Sequence, residues 1–309
     1  MANMGEEVMK KYFLVGFMFM VVFVSKIGVV DALSQEYKIG VLALRGSEAS
    51  HQEWAPIIQY LNNKTGLSFV VVPANFEFLP KLVEERAVHF VFTNSTMYVQ
   101  MKQLYALSPI ATVKVKVGDK ELDQFGGVIF TRADSPIRTL QDFKGKNFRC
   151  VDFSSFGGWQ MAFGLFLENG INPAKDFASL TEVKTHDNVI YSVASGVVDG
   201  GTVRTGILEQ MVAEGKVKMD QFKIINRVDD NYLFVHSTPL YPEWPMAAVQ
   251  NTPKEVVDAL KKALLEMPGG LEVNKAAQIA GWTSPMDYSA VVKCMQKIRL
   301  SLDKKEPQA

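Results

Sequence analysis

The chain has 309 residues of ordinary composition, 48% hydrophobic, 11% aromatic and 21% charged, which excludes a small disulfide knot and a wholly disordered polypeptide. Its 33 Lys and Arg balance 33 Asp and Glu, so no long-range field draws it to nucleic acid or to an anionic membrane. Affinity for a charged partner must come from a few placed residues.

Tyr12 to Val24 is apolar, preceded by Lys10 and Lys11 and followed by Lys26 and then Val30-Asp31-Ala32. It is shorter than the roughly 20 residues that span a bilayer. The layout is that of a secretory signal peptide, residues 1–32, with cleavage after Ala32 and a periplasmic mature chain; an uncleaved anchor is the alternative. The segment carries as many basic as acidic residues, so its removal leaves the chain neutral. Cys150 and Cys294 could pair in an oxidising compartment or sit as two separate buried thiols, and spacing alone does not decide.

Tyr37 to Leu44 reads as a strand, and Trp54, Ile57, Ile58 and Leu61 follow at helical spacing. Leu67 to Val72 is the next strand, stopped by Pro73; Phe76, Leu79, Leu82 and Val83 mark a helix; Val88 to Phe92 is a third strand. This alternation predicts an α/β fold with a parallel sheet covered by helices. Ile110 to Val117 and Phe125 to Thr131 are β-rich around a Gly118-Asp119 turn. A second α/β unit begins at Asp134, with a short helix ending near Gly145, a strand at Asn147 to Phe153, and an apolar helix through Met161, Phe163 and Phe166. Helix faces at Val189 to Ala194 and Ile207 to Val212 flank a strand at Val198 to Val203. The chain returns as a strand at Tyr232 to Val235, and helices at 253–266 and 286–300 close it. A chain that leaves one unit, builds another and comes back describes two lobes joined by two crossing strands. The predicted division is 33–130 and 227–309 for the first lobe and 131–226 for the second, with a ligand cleft between them beyond the carboxyl ends of the strands.

Ser154-Ser155-Phe156-Gly157-Gly158 lies where a strand ends and a helix begins, and unpaired N–H groups with hydroxyl donors there suit an oxyanion. The same residues also suit an ordinary serine cap with close-packed glycines. Arg204 and Thr205 follow another strand, where a guanidinium can hold a carboxylate, phosphate or sulfur oxyanion, or pair with one of the chain's acids. Thr93 and Asn94 offer donors at a third strand end, or a plain helix cap. His186, in a polar loop, can donate to an anion, and Arg45 is a further cation after the first strand. No nucleophile elbow, Walker loop, zinc motif or dinucleotide fingerprint is present, so the chain reads as a binder that calls for no cofactor and no metal, and an enzyme is the weakest alternative.

The stretches IGVLALRG at 39–46, DFSSFGGWQMA at 152–162, GTVRTGILEQM at 201–211 and GWTSPMDYSAVV at 281–292 resemble the phosphonate-binding family of bacterial periplasmic solute-binding proteins. They are also similar to the periplasmic sensor domains of tetrathionate-sensing histidine kinases. The resemblance implies a type II periplasmic binding fold, two lobes each built on a mixed sheet flanked by helices, closing on a small oxyanion. It assigns the anion to Ser154, Ser155, Gly157 and Gly158 and brings in His186 and a lobe-one aromatic, Phe76, which lacks the hydroxyl of the tyrosine common there. An acid expected near the end of the Thr202 strand is replaced by Gly206, with Arg204 close by, which implies a more anionic ligand. The implied partner is the membrane permease of an ABC transporter or a membrane histidine kinase, with the binder itself a monomer.

Overall fold

The computed structural model describes residues 35–43, 46–117, 120–269 and 279–303. The expected signal peptide, Arg45 and the Gly118-Asp119 turn lie outside them. The first sheet gathers β1 (Glu36–Leu42), β2 (Ser68–Ala74), β3 (Phe90–Phe92), β4 (Ser108–Val117), β5 (Lys120–Leu122), β13 (Pro245–Ala248) and β14 (Ile279–Thr283). Their order is β14-β4-β13-β3-β1-β2, with β5 beside β4. β1 runs parallel to β2 and β3, whereas β13 is antiparallel to both β3 and β4. The helix α1 (Ser47–Thr65) buries Trp54, Ile57 and Leu61 against this sheet, the stripe that helical spacing predicts. Pro73 does not stop its strand: β2 is the sheet edge, where a missing N–H breaks no ladder, and the pairing continues to Ala74.

The second sheet is β11-β7-β10-β8-β9, formed by β7 (Gly127–Arg132), β8 (Asn147–Cys150), β9 (Ser179–Glu182), β10 (Gly200–Arg204) and β11 (Phe222–Ile225). β8 is parallel to β9 and β10, and β7 is antiparallel to β10 and β11. Between the sheets run β6 (Gln124–Phe125) and β12 (Tyr241–Pro242), an antiparallel ribbon with Tyr241 opposite Phe125. These are two crossing strands, but the crossings fall at different places from those predicted. Residue 130 lies inside β7, whose partners are both in the second sheet, so sheet membership changes at Gly126. After β11 the chain stays on the second lobe, where Val228 N–H bonds His236 O and Ser237 bonds Gly127, Ile129 and Ile225. The return comes at Tyr241. Tyr232 to Val235 is not a strand: the Tyr232 hydroxyl donates to Gln124 O at 2.7 Å and Val235 N–H to Glu209 Oε1 at 3.0 Å, so side chains rather than a ladder hold this loop.

The second lobe is centred on Phe143, Phe148, Phe166 and Phe177, with Phe148 5.2 Å from Phe143 and 5.7 Å from Phe166 between ring centroids. The helix α4 (Met161–Glu168) is buried from Met161 to Phe166, as its all-round apolar sequence predicts. The closing helix α9 (Ser289–Asp303) packs on α4 and also on α3 (Ser95–Tyr105) of the first lobe. One apolar core therefore runs from Val91 and Tyr98 through Phe125 and Tyr241 of the ribbon to Phe148 and Val291. Cys150 and Cys294 are both buried and free, so the separate-thiol reading holds.

Gly164 on α4 meets α9 at close range, since a Cβ there would lie 2.7 Å from Cys294 Sγ. Gly164→Ala is expected to destabilise the protein by about 1–3 kcal/mol through overpacking. Cys294→Ala in that background should restore part of the loss, read from denaturant midpoints. Purely additive effects would contradict this close approach.

Candidate functional site

The carboxyl ends of parallel strands from both sheets open toward the ribbon, and the second lobe contributes three loops there. After β8 the chain turns at Asp152, whose carboxylate accepts from Ser154 N–H at 2.9 Å and from the Ser154 hydroxyl at 2.6 Å. Burial opposes ionisation of Asp152, but these hydrogen bonds and Lys184 outweigh it and hold its carboxyl below the usual range. Ser155 then caps a π-helical turn, Phe156–Gln160, with its hydroxyl accepting from Gly158 N–H at 3.2 Å. Phe156 and Gly157 begin the turn, ahead of its first helical donor, Gln160 N–H. Gly157 is glycine for a steric reason: a Cβ would sit 2.9 Å from the Phe125 ring and 3.3 Å from Arg204 Cβ. That close approach brings the serine loop, the crossing ribbon and the end of β10 together.

Arg204 ends β10 and is only half free. Its guanidinium lies over the Phe125 ring, 4.2 Å from the centroid, and Nη2 donates to Glu243 Oε1. Glu243 follows β12 and belongs to the first lobe: its N–H bonds Asp123 O at 2.9 Å, and its carbonyl accepts from the Tyr288 hydroxyl at 2.7 Å. The Glu243 side chain is 1% exposed and that of Arg204 26%, so the pair joins the lobes with the carboxylate end fully desolvated. Burial pushes the Glu243 carboxyl upward, and the adjacent Arg204 opposes this and favours the charged form.

His186 opens α6 (His186–Ala194) next to this pair, where Nδ1 accepts from Arg204 N–H at 3.4 Å. The proton of the neutral ring is thereby assigned to Nε2. Burial, reinforced by Arg204, brings the imidazole pKa down to about 4, so it is uncharged at neutral pH. Thr205 serves the hinge: its hydroxyl accepts from Gly126 N–H at 3.2 Å and its own N–H bonds Gly126 O at 3.0 Å.

The other candidates from the first lobe make bonds of their own, and Ser95, next to Asn94, donates its hydroxyl to Pro242 O at 2.7 Å on the ribbon. Asn94 caps α3, accepting from Met97 N–H at 2.8 Å and from the Thr96 hydroxyl at 3.0 Å, and the Thr93 hydroxyl contacts Met97 Sδ at 3.0 Å. Phe76, in the loop after β2, is 41% exposed. The structure brings Gly157 and Arg204 onto Phe125, His186 onto Arg204 and Thr205 onto Gly126, with Ser154 and Ser155 on the adjoining turn.

Sequence reasoning missed Glu243, and with it the expectation that the site lacks an acid is corrected. Gly206 carries none, but the first lobe supplies one from 39 positions beyond Arg204. The signal was present in Tyr241-Pro242-Glu243-Trp244-Pro245-Met246, where a single charge stands in an otherwise apolar run and is therefore buried with a partner. Two open concavities lie elsewhere, about 650 Å³ beside Arg149 and Tyr191 and about 440 Å³ beside Ile171 and Leu300. Among the described residues no His, Cys, Asp and Glu group is arranged to hold a metal, and no helix is long and apolar enough to cross a membrane.

The lowered pKa of His186 has a defined sign. Between the usual value of 6.5 and about 4, the unfolded chain takes up a proton that the folded chain refuses, so stability is complete above this window and falls as pH drops through it. Over that window wild type should lose up to about 3 kcal/mol more than His186→Asn, measured by denaturation at a series of pH values. Identical pH profiles would contradict the half-buried, neutral imidazole.

The model of the family described as ABC transporter, phosphonate, periplasmic substrate-binding protein matches residues 39–289. The tetrathionate sensor histidine kinase TtrS of Salmonella typhimurium is 28% identical over 265 residues, 85% of this chain and 44% of the kinase, so the chain spans less than half of that relative. XAC2383 from Xanthomonas citri bound to ATP superposes with a TM-score of 0.69 at 18% identity, covering 88% of this chain and all of that one. PhnD1 from Prochlorococcus marinus in complex with methylphosphonate superposes at 0.63 with 14% identity, covering 86% of this chain and 99% of its own. A binding protein component of an ABC phosphonate transporter from Pseudomonas aeruginosa, PA3383, gives 0.64 at 18% identity, covering 89% and 91%. The structural likenesses establish the type II periplasmic binding fold, and with the match over 39–289 they place the chain in a family: it belongs to the phosphonate-binding periplasmic substrate-binding proteins.

Proposed function

We propose that the protein is an extracytoplasmic solute-binding protein that holds a small oxyanion (a phosphonate, phosphate or sulfur oxyanion) between its lobes and serves as the substrate-binding component of an ABC transporter. The observation that carries this reading is the convergence of Gly157, His186 and Arg204 at the crossing ribbon, next to the turn that Ser154 and Ser155 shape. The opening N–H groups of that turn, His186 Nε2–H and the free edge of the Arg204 guanidinium are donors that an oxyanion accepts from, in a partly desolvated place where such bonds are strong. Binding there touches the second lobe and the ribbon together, so it favours one lobe arrangement, which a membrane partner recognises. Delivery to a permease is the role of the family. The likeness to a sensor kinase over 85% of the chain supports a second reading, in which the ligand-bound form is presented to a membrane histidine kinase.

The purified protein is tested by thermal shift and calorimetry against methylphosphonate, phosphate, sulfate, thiosulfate and tetrathionate. A ligand at a hundred times its dissociation constant stabilises by about 2.7 kcal/mol, which raises the melting temperature by roughly 5 °C or more. At least one of the five is expected to do so in wild type and to lose the effect in the Arg204→Gln, Glu243→Gln double variant, which removes the guanidinium without stranding a buried carboxylate. No shift with any of them would overturn the oxyanion reading, and an unchanged shift in the double variant would remove Arg204 from the site.

A further inference from the structure

Three cations that the described structure brings close to His186 and the serine loop are each matched by an acid. Arg204 is paired with Glu243; Lys184 is shared between Asp152, at 3.0 Å, and Glu182; Lys216 holds Glu214 at 2.7 Å and Asp187 at 3.4 Å. His186 adds a donor and no charge. The Glu243 carboxylate cannot turn away to water, because its side chain is 1% exposed and its backbone is fixed by Asp123 and Tyr288.

We propose that Glu243 makes the cleft selective for oxyanion groups that present one negative charge. This rests on the oxyanion reading given above and narrows it. A singly charged group, such as a sulfonate or a monoprotonated phosphonate, accepts hydrogen bonds from the serine-loop N–H groups, His186 and the free edge of Arg204. A second charge draws on no spare charge from Arg204, Lys184 or Lys216, each held by an acid, and faces the Glu243 carboxylate through the guanidinium they share. Pulling Arg204 over to the ligand does not help, since it strands Glu243 as a buried, unpaired charge. The selectivity is thus built by repulsion as much as by attraction. Glu243→Gln keeps an acceptor for Arg204 and releases the guanidinium's charge to the ligand.

Methanesulfonate and methylphosphonate share shape and, in mildly alkaline buffer, differ by one charge. Calorimetry on the full-length protein in that buffer is expected to show methanesulfonate bound about tenfold or more tightly than methylphosphonate. Glu243→Gln should raise methylphosphonate affinity by about tenfold or more while moving methanesulfonate by less than about threefold. Wild type that binds the methylphosphonate dianion as tightly as methanesulfonate overturns the proposal and leaves the oxyanion reading standing; this comparison needs no variant to fold. Weaker binding of both anions by Glu243→Gln would show that Glu243 only positions Arg204, and also overturns it. If neither anion binds wild type or variant, the selectivity proposal falls, and the oxyanion reading stands or falls separately on the five-anion comparison above.

Discussion

The ion pair between Arg204 and Glu243 is the constraint on which the geometry of the cleft depends. A carboxylate that is fully desolvated is tolerated only with a cation against it, because an unpaired charge in that position costs several kcal/mol. Glu243 comes from the chain just after the returning strand of the ribbon and Arg204 from the last residue of a second-lobe strand, so satisfying the charge sets how the lobes meet. Phe125, on the other strand of the ribbon, lies under the guanidinium, and Gly157 lets the serine loop come close enough to pack on both. Each of the three chain segments that meet there is thus positioned by the same pair.

Two supports make the arrangement stiff on the first-lobe side. Tyr288 reaches both the Glu243 carbonyl and the Thr112 hydroxyl, at 2.7 and 3.0 Å, and the Ser95 hydroxyl holds Pro242 O at 2.7 Å. On the other side Thr205 and Tyr232 clamp the ribbon at Gly126 and Gln124. The apolar core that passes through the ribbon to α9 adds a shared, close-packed base beneath the hinge. A binding protein needs its cleft mobile and its pivot defined, and here the polar pair sits at the cleft while the apolar packing sits behind it. The zero net charge of the whole chain recurs locally: Arg204, Lys184 and Lys216 are each paired with an acid, so these three cations add little net positive charge beside the ribbon.

Much of this architecture is legible in the sequence. The alternation of β-rich and amphipathic runs implies parallel strands under helices, the stripe at Trp54, Ile57 and Leu61 lies on the sheet, and the all-round apolar Met161 to Phe166 is buried. What periodicity cannot show is the sheet to which a strand belongs. Phe125 to Thr131 reads as one β run, yet it breaks at Gly126 into a ribbon strand and a strand of the second sheet, a distinction made by long-range pairing alone. Tyr232 to Val235 has strand-forming residues but is held by side-chain bonds, and Pro73 reads as a stop although an edge strand accommodates it. In the site, the cation at Arg204 stands out among small residues, whereas its partner is concealed by distance along the chain. Serine at 155 and asparagine at 94 fit both a ligand and a cap in sequence, and in the structure each caps the turn that it precedes.

The account stands most directly on the energy of coupling between Arg204 and Glu243, which a double-mutant cycle of Arg204→Gln, Glu243→Gln and the combined variant measures by denaturant unfolding. Arg204→Gln should cost about 3–5 kcal/mol, since it strands a buried carboxylate, Glu243→Gln much less, and the combined variant should recover most of the loss with a coupling of about 2 kcal/mol or more. Losses that simply add, with a coupling near zero, would show that the two lobes are not held in register by this pair.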